Sequence, residues 1–237
     1  MTDDDPRLPA LLTASRYILL DFDGPVCDIF AGLPARDVAE DLRAQLIDRF
    51  PGPLPTEIAE THDPLLIVRQ VADHAPHLSP HIDAELCRAE LHAVESSAPT
   101  PGAAKFLDAC QATNRPVAIV SNNSAPAIRA YLNHHGLTHL VQHVHGRDPH
   151  DPRRMKPDTF LLAQTVTALG ADPATSVLIG DSTTDIDAAR AYGIPVIGYV
   201  NKPRKHQTLS PADALTTSME TLAELAQENP ATSPAGT

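Results

Sequence analysis

The sequence predicts an α/β protein, with a doubly wound parallel sheet as its core and a small α-helical cap domain inserted into it. Short apolar strands alternate with helical stretches in the second half of the chain, which is typical of parallel βαβ units. One interval in this alternation is too long for a single crossover connection, which indicates an insertion. At 237 residues the chain is long enough for a full hydrophobic core together with such an insert.

Short apolar runs have the composition of buried strands. They are YILL (17–20), PVAIV (116–120), HLVQHV (139–144), SVLIG (176–180) and PVIGYV (195–200). Helical patterns lie between the later runs, and each of these patterns ends at a glycine, the residue that most readily closes a helix in the left-handed conformation. The three glycines are Gly136, Gly170 and Gly193.

The long interval between the first two predicted strands has helical character. Apolar residues recur at helical spacing within 37–50, and Asp63 and Ser79 are each followed by proline, as at the start of a helix. The interval therefore predicts a cap formed by helices. The expected divisions of the chain are a catalytic core formed by 1–28 and 98–228, a helical cap over 29–97 and a flexible tail over 229–237.

Composition excludes several classes of protein. A net charge of −12 and the absence of tryptophan argue against a nucleic-acid-binding surface, which is usually basic and rich in stacking side chains. The sequence has no apolar run of about 18 residues that could cross a membrane. Its first residues lack the pattern of a signal peptide, and its three cysteines have no paired spacing. We therefore expect a cytoplasmic protein, a monomer or weak dimer, that binds neither nucleic acid nor membrane.

Polar side chains follow three of the predicted strands. Because the carboxyl ends of parallel strands meet at one edge of a sheet, these side chains should face a common site. They are Asp21 and Asp23 after the first strand, Ser121 and Asn122 after the second, and Asp181 and Asp185 after the fourth. Lys156 should lie at the same site, because it immediately precedes Pro157, the expected first residue of a helix. Carboxylates combined with a hydroxyl and an ammonium can bind a cation and an anion together, which indicates phosphoryl transfer.

These residues fall within four motifs that resemble those of the haloacid dehalogenase-like (HAD) hydrolase superfamily, and within it the phosphoglycolate-phosphatase-like members with a helical cap. The motifs are DFDG (21–24), IVSNN with Ser121, MKPD with Lys156, and GDSTTD (180–185). One such motif alone is weak support, whereas four in the correct order at element boundaries are specific. The resemblance covers residues 17–200 and implies a Rossmann-like core and a magnesium-dependent phosphomonoesterase acting on a small phosphorylated metabolite.

The resemblance also implies a role for each residue. Asp21 would be the nucleophile that forms an aspartyl-phosphate, and Asp23 the general acid and base. Mg²⁺ would be held by the Asp21 carboxylate, the Asp23 main-chain carbonyl and Asp181. The phosphate would be bound by Ser121, Asn122 and Lys156. Asp185 would support the metal site from behind or hold Lys156 in place.

Other interpretations compete with this one. Asp21 and Asp23 could simply cap a turn, Ser121 could cap the following helix, and Lys156 could be a solvated surface lysine. A phosphomutase of the same fold would use the same residues. A non-catalytic module that binds phosphate or a partner is also open, because Pro25 stands where the family usually has Thr or Val and lacks a backbone donor.

Arginines offer candidate contacts to the substrate. Those of the predicted cap are Arg36, Arg43, Arg49, Arg69 and Arg88, and the sequence does not indicate which of them faces the site. Arg147, Arg153 and Arg154 lie in the segment before Lys156. They are either solvated or extend the positive field over the phosphate.

Overall fold

A computed structural model of the protein describes residues 5–228, so the tail expected over 229–237 lies outside the described residues. The strands in this range are β1 (Tyr17–Leu20), β2 (Cys27–Asp28), β3 (Ala98–Pro99), β4 (Val117–Val120), β5 (His143–His145), β6 (Ser176–Gly180), β7 (Val196–Tyr199) and β8 (Ala214–Thr216). The α-helices are α1 (Leu8–Ala14), α2 (Ala35–Leu46), α3 (Thr56–Ala59), α4 (Pro64–His74), α5 (Ser79–Ala93), α6 (Ala103–Ala112), α7 (Ala125–His134), α8 (Phe160–Leu169), α9 (Thr183–Tyr192), α10 (Lys205–Leu209) and α11 (Met219–Glu228). Within these residues, no helix has both the length and the apolar character needed to cross a membrane.

The main sheet is parallel and has the strand order β5-β4-β1-β6-β7-β8. Strand β1 lies at its centre, where Leu19 is paired with Ala118 of β4 on one side and with Leu178 of β6 on the other. Strands β4, β6 and β7 are buried along their whole length, as expected where helices cover both faces of a parallel sheet. The predicted fold class is therefore confirmed.

Alternate residues of β1 serve two hydrophobic clusters. Ile18 and Leu20 pack in a cluster that includes residues of α6, α7 and α11 on one face. Leu19 packs in a second cluster, with residues of α8 and α9, on the opposite face. This alternation follows from the period of two in a strand. Because both faces of β1 are packed in this way, the position of the acidic residues that follow the strand is fixed.

The structure shortens two predicted elements. The third predicted strand, which is β5 of the structure, begins at His143 and not at His139, because Thr138–Leu140 forms a 3₁₀ turn. Helix α8 begins at Phe160 and not at Pro157, because the Asp158 carboxylate accepts a hydrogen bond from the Phe160 N–H at 2.8 Å and so holds a turn at this point. Lys156 therefore lies in a loop that precedes the helix.

Helices α2, α4 and α5 pack around an apolar cluster of their own. Its buried members are Val38, Ala39, Leu42, Leu46, Ile58, Ile67, Val68, Val71, Ile82 and Leu86. The chain leaves and rejoins the main sheet through two short antiparallel strands, in which Asp28 is paired with Ala98. This is the topology of an insertion after the first motif, while the limits of the cap at 29 and 97 stay a prediction.

Candidate active site

Asp21 lies directly after the central strand and is almost fully buried, with 7% of its surface exposed. Its Oδ1 accepts a hydrogen bond from the Phe22 N–H at 2.7 Å and lies 3.0 Å from the Lys156 ammonium. Burial raises the pKa of Asp21, the Asp185 carboxylate raises it further, and Lys156 opposes this shift. Asp21 is therefore a confined carboxylate whose charge depends on its cationic neighbour.

Asp23 lies in the turn that follows Asp21. Its Oδ1 accepts a hydrogen bond from the Ile29 N–H at 3.1 Å. Burial raises the pKa of Asp23 to about 7, and this backbone hydrogen bond acts in the opposite direction. A carboxyl group with such a pKa can both give and accept a proton near neutral pH, as a general acid and base must.

The turn between Asp23 and Cys27 closes without a hydrogen bond from Pro25. The Gly24 N–H donates to the Cys27 carbonyl, and the Thr100 hydroxyl donates to the Gly24 carbonyl, each at 2.6 Å. Gly24 has a φ of 104°, and a Cβ at this position would lie 2.4 Å from the Asp181 carboxyl carbon. Only glycine meets both conditions. The turn therefore brings the first motif into close contact with Asp181.

Lys156 is buried among three acceptors. Its ammonium donates to the Val120 carbonyl at 2.9 Å and to Asp185 at 2.5 Å, in addition to its contact with Asp21. Burial lowers the pKa of Lys156, but the two carboxylates outweigh this effect and raise it above its ordinary value. The interpretation of Lys156 as a solvated surface lysine is therefore wrong.

Asp185 is fully buried at the start of α9. It forms a capping box with Ser182, in which the Ser182 N–H donates to Asp185 Oδ2 at 3.1 Å and the Asp185 N–H donates to Ser182 Oγ at 3.2 Å. The Ser182 hydroxyl also donates to Asp185 Oδ2, at 2.6 Å. Its other oxygen accepts from Lys156. A Cβ on Gly180 would lie 2.3 Å from the Asp185 carboxyl carbon, so this glycine leaves room for the carboxylate. Asp185 is thus directed towards Lys156.

Asp181 has two partners that the motifs do not include. Its Oδ2 accepts hydrogen bonds from the Lys205 ammonium and, at 2.7 Å, from the Asn201 amide. Burial raises the pKa of Asp181, and Lys205 opposes the shift. Both partners come from the segment after β7, whose carboxyl end lies at the same edge of the sheet.

The carboxylates are arranged in a way that suits a divalent cation. Oxygen atoms of Asp21, Asp181 and Asp185 lie within 4.8 Å of one another. Mg²⁺ prefers a small number of carboxylate oxygens together with water. Both oxygens of Asp185 are already bonded to Lys156 and Ser182. The donor set therefore fits Mg²⁺, with Asp21 and Asp181 as the available carboxylates.

The loop after β4 brings Ser121 and Asn122 to the same site. The Asn122 side chain donates to the Lys156 carbonyl at 3.1 Å and accepts from the Lys156 N–H at 2.8 Å. This reciprocal pair fixes the backbone that carries the buried ammonium. Ser121 is 1% exposed, and its hydroxyl donates to Asn123 Oδ1 at 3.1 Å.

A cavity of about 260 Å³ lies between these groups and the part of the chain that contains α2–α5, which we call the helical segment. The residues that line it are Asp21, Asp23, Asp63, Leu65, Leu66, Arg69, Ser121, Asn122, Asn123, Met155, Lys156, Asp181, Ser182 and Thr184. All the predicted site residues are among them except Asp185, which lies behind Lys156. The volume of the cavity lies just below the range of about 300–1,000 Å³ that is typical of pockets for drug-sized ligands, so it suits a smaller molecule.

Arg69 of α4 lines the cavity, whereas the other four arginines of the predicted cap do not. Its guanidinium donates to the carbonyls of Met155 and Lys156 at 3.1 and 2.7 Å. Its Nε is buried and has no hydrogen-bond partner in the described part of the chain. Arg69 thus adds a positive charge to the wall of the cavity that faces the strand ends.

The three arginines before Lys156 have different environments. Arg153 and Arg154 are exposed, which agrees with solvated side chains. Arg147 fits neither expectation, because it is buried in ion pairs with Asp83 and Glu90 of α5. The sequence did not indicate these partners, since they lie far from Arg147 along the chain.

The fold and the site define a class of α/β proteins that gather carboxylates and a lysine at the carboxyl edge of a parallel sheet. A family profile described as haloacid dehalogenase-like hydrolase matches residues 61–199. The chain is 30% identical over 221 residues to the plasmid phosphoglycolate phosphatase of Cupriavidus necator, a match that covers 88% of this chain and 91% of that enzyme. The chain therefore belongs to the haloacid dehalogenase-like hydrolase family, and the family predicted from the motifs is confirmed.

Other relatives match over a shorter region. The phosphoglycolate phosphatase of Mesorhizobium japonicum is 32% identical over 128 residues, which are 51% of this chain and 56% of that enzyme. The chain thus matches little more than half the length of this relative. The crystal structure of CbbY from Rhodobacter sphaeroides in complex with phosphate has a TM-score of 0.67 at 18% identity, and the match covers 88% of this chain and 96% of that one. At this identity the likeness supports the fold.

Proposed function

We propose that this chain is a magnesium-dependent phosphomonoester hydrolase that acts on a small phosphorylated metabolite through an aspartyl-phosphate on Asp21. The observation that carries the proposal is the buried Lys156 ammonium, 3.0 Å from Asp21 at the wall of a cavity that Asp23 and Asp181 also line. A turn-capping role for Asp21 would not require a buried cation beside it. The phosphatase relatives in the family support the same reaction.

In the first step, an oxygen of Asp21 attacks phosphorus, and the bond from phosphorus to the leaving oxygen breaks. Attack of an anion on an anion is opposed by about 4 kcal/mol per charge pair at 4 Å and an effective dielectric constant of 20. Lys156 reduces this repulsion because its ammonium lies beside the nucleophile. Asp185 and the Val120 carbonyl hold the ammonium in that position.

Asp23 moves the protons in both steps. In its acid form it protonates the leaving oxygen, and as a carboxylate it then takes a proton from the water that attacks the aspartyl-phosphate. This water releases inorganic phosphate and restores Asp21. The pKa of Asp23, raised to about 7 by burial, supports both roles.

Mg²⁺ would be held by the Asp21 carboxylate, the Asp23 main-chain carbonyl and Asp181, and when bound it would neutralise charge on the phosphoryl group. The hydroxyl of Ser121 would bind a phosphoryl oxygen, and the Asn122 side chain would act by fixing Lys156. Residues 29–97 would form a cap that closes the cavity over the leaving group. Arg69 favours a leaving group that carries a negative charge, and 2-phosphoglycolate is the first compound to test.

The proposal is tested by measuring phosphate release from a panel of phosphorylated sugars, glycolate, nucleotides and amino acids in the presence of Mg²⁺. We expect release from at least one small phosphate ester, without a bisphosphate activator, and none from the Asp21→Asn variant. A folded protein that releases no phosphate from the panel or from p-nitrophenyl phosphate would contradict the proposal. Transfer of phosphate to a sugar hydroxyl in place of release would indicate the phosphomutase.

A further inference from the structure

A buried ion cluster joins helix α5 to the loop that carries Ser121. Arg147, Asp83 and Glu90 form it, and all three are at most 5% exposed. The Arg147 guanidinium donates to Asp83 and, at 3.0 Å, to Glu90 Oε1. Buried charges are costly unless each is paired, as they are here. Arg147 also donates to the Asn122 carbonyl of the loop at 3.0 Å.

Glu90 has contacts that Asp83 lacks. Its Oε1 also accepts from the Asn123 side-chain amide at 3.2 Å, and its Oε2 accepts from the Ser124 N–H at 3.0 Å. The Asp83 carboxylate, by contrast, accepts a hydrogen bond only from Arg147 among the described residues. One carboxylate of the helical segment therefore holds two consecutive residues of the loop after β4.

These contacts determine which way the Asn123 amide faces. Its nitrogen is directed to Glu90, so its oxygen faces Ser121 and accepts from the Ser121 hydroxyl at 3.1 Å. A flipped amide would place oxygen against the carboxylate. The Asn123 N–H lies 3.3 Å from the same Ser121 Oγ. Asn123 thus fixes this oxygen from two sides.

We propose that Glu90 is a positioning residue for phosphate binding, which acts through Asn123 to hold the Ser121 hydroxyl at the cavity. The inference rests on the proposed function, because it takes Ser121 as a ligand of the phosphoryl group. A charged phosphoryl oxygen is a stronger acceptor than an amide oxygen. When the Ser121 hydroxyl turns towards phosphate, it gives up its hydrogen bond to Asn123 Oδ1, and its oxygen is then positioned by the Asn123 N–H. Glu90 holds that stretch of backbone through the Asn123 side-chain amide and the Ser124 N–H.

The test compares Glu90→Gln with Asp83→Asn, two isosteric changes that each remove one negative charge from the partners of Arg147. In Glu90→Gln, either orientation of the new amide places its NH₂ group against a donor of the loop. Asp83→Asn retains an oxygen for Arg147 and leaves the contacts of Glu90 with the loop intact. Both variants should lose stability, Glu90→Gln more than Asp83→Asn because it also loses contacts with Asn123 and Ser124, and only Glu90→Gln should disturb Ser121.

We expect Glu90→Gln to weaken binding of inorganic phosphate by about tenfold, the equivalent of one hydrogen bond to a charged group. KM for a phosphate ester should rise similarly, with a smaller change in kcat. Asp83→Asn should alter phosphate affinity by less than about twofold. Phosphate affinity is measured by calorimetry on the full chain, and thermal unfolding of both variants is the control for stability.

Asn123→Ala tests the same relay without changing a charge, so it keeps the proposal testable if Glu90→Gln fails to fold. It should weaken phosphate binding as Glu90→Gln does, and the two effects should not add in the double variant. Equal phosphate affinities for Glu90→Gln and Asp83→Asn, or an unchanged affinity in Asn123→Ala, would overturn the inference. If the wild-type protein neither binds phosphate nor releases it from an ester, the proposed function itself fails.

Discussion

Lys205 and Asn201 both donate to the same oxygen of Asp181, Oδ2. Within residues 5–228, the other oxygen of this carboxylate accepts no hydrogen bond and is available to a ligand. Two donors on one oxygen fix the rotation of the carboxylate. Groups of this kind, which orient a metal ligand from behind, are known to tune metal affinity.

Replacing Lys205 by methionine should tighten Mg²⁺ binding by at least about tenfold, because it removes a cation that pairs with Asp181 and repels the metal. This repulsion, about 4 kcal/mol per charge pair at 4 Å and an effective dielectric constant of 20, outweighs the loss of one group that orients Asp181. The measurement is the rise in thermal unfolding temperature with Mg²⁺ concentration, which reports metal binding without a turnover assay. Lys202→Met is the matched control, since Lys202 is exposed in the same segment. Equal or weaker Mg²⁺ affinity in Lys205→Met than in the wild type would show that repulsion by Lys205 does not limit metal binding.

Changing Asp21 to asparagine should abolish turnover and leave the fold intact, because an amide is a poor nucleophile and has nearly the same shape. Phosphate release and thermal unfolding are measured on the same preparation. A variant that retained most of the wild-type activity would exclude Asp21 as the nucleophile.

Removal of the metal should abolish phosphate release. We expect EDTA to stop phosphate release and excess Mg²⁺ to restore it, because the carboxylates at this site otherwise repel the substrate. Asp181→Ala should raise the Mg²⁺ concentration needed or abolish activity. Full activity in the presence of chelator, with the metal content of the protein checked, would rule out the magnesium-dependent mechanism.

Lys156 should also stabilise the fold. Lys156→Met leaves Asp21 and Asp185 buried close together without their cation, which should cost about 3–5 kcal/mol in the free energy of unfolding. Adding Asp185→Asn to this variant should recover part of the loss, because one of the two unpaired charges is removed. Urea unfolding of the two variants measures this. No recovery in the double variant would mean that repulsion between the carboxylates is not the cause.

Most of the site residues that the sequence predicted lie next to strand ends, whereas Lys156 was identified from its motif and its place before Pro157. Asp21, Ser121 and Asp181 each follow a run of apolar residues, and the edge at which parallel strands end is common to all of them. Position along the chain was therefore enough to bring these residues together. The same reasoning could have found Asn201, which comes shortly after β7.

Contacts between distant side chains could not be predicted in this way. Arg147 and Glu90 are 57 positions apart, and neither belongs to a recognised motif. An arginine in a polar segment ordinarily indicates solvent exposure. Its burial depends on how α5 packs against α7 of the core, which no local pattern specifies. Strand β8, with only three residues, likewise has too little periodicity to be recognised.

Asp23 should act on the chemical step, whereas Arg69 should act on the selection of the substrate. Asp23→Asn removes the acid that protonates the leaving oxygen, so an alkyl phosphate should lose about 10²–10⁴-fold in kcat/KM. The loss should be smaller for p-nitrophenyl phosphate, whose phenolate leaves with little help. Arg69→Met should show the reverse, with a larger loss for the best anionic substrate of the panel than for the aryl ester.

The control for Arg69→Met is Arg88→Met, because Arg88 belongs to the same helical segment, pairs with Glu85 and does not line the cavity. The values of kcat/KM for both esters are measured on the three variants and the wild type. Parallel losses for both esters in Arg69→Met would mean that Arg69 acts through its hydrogen bond to the Lys156 carbonyl and not on the leaving group. The helical segment would then support Lys156, and substrate selection by Arg69 would be excluded.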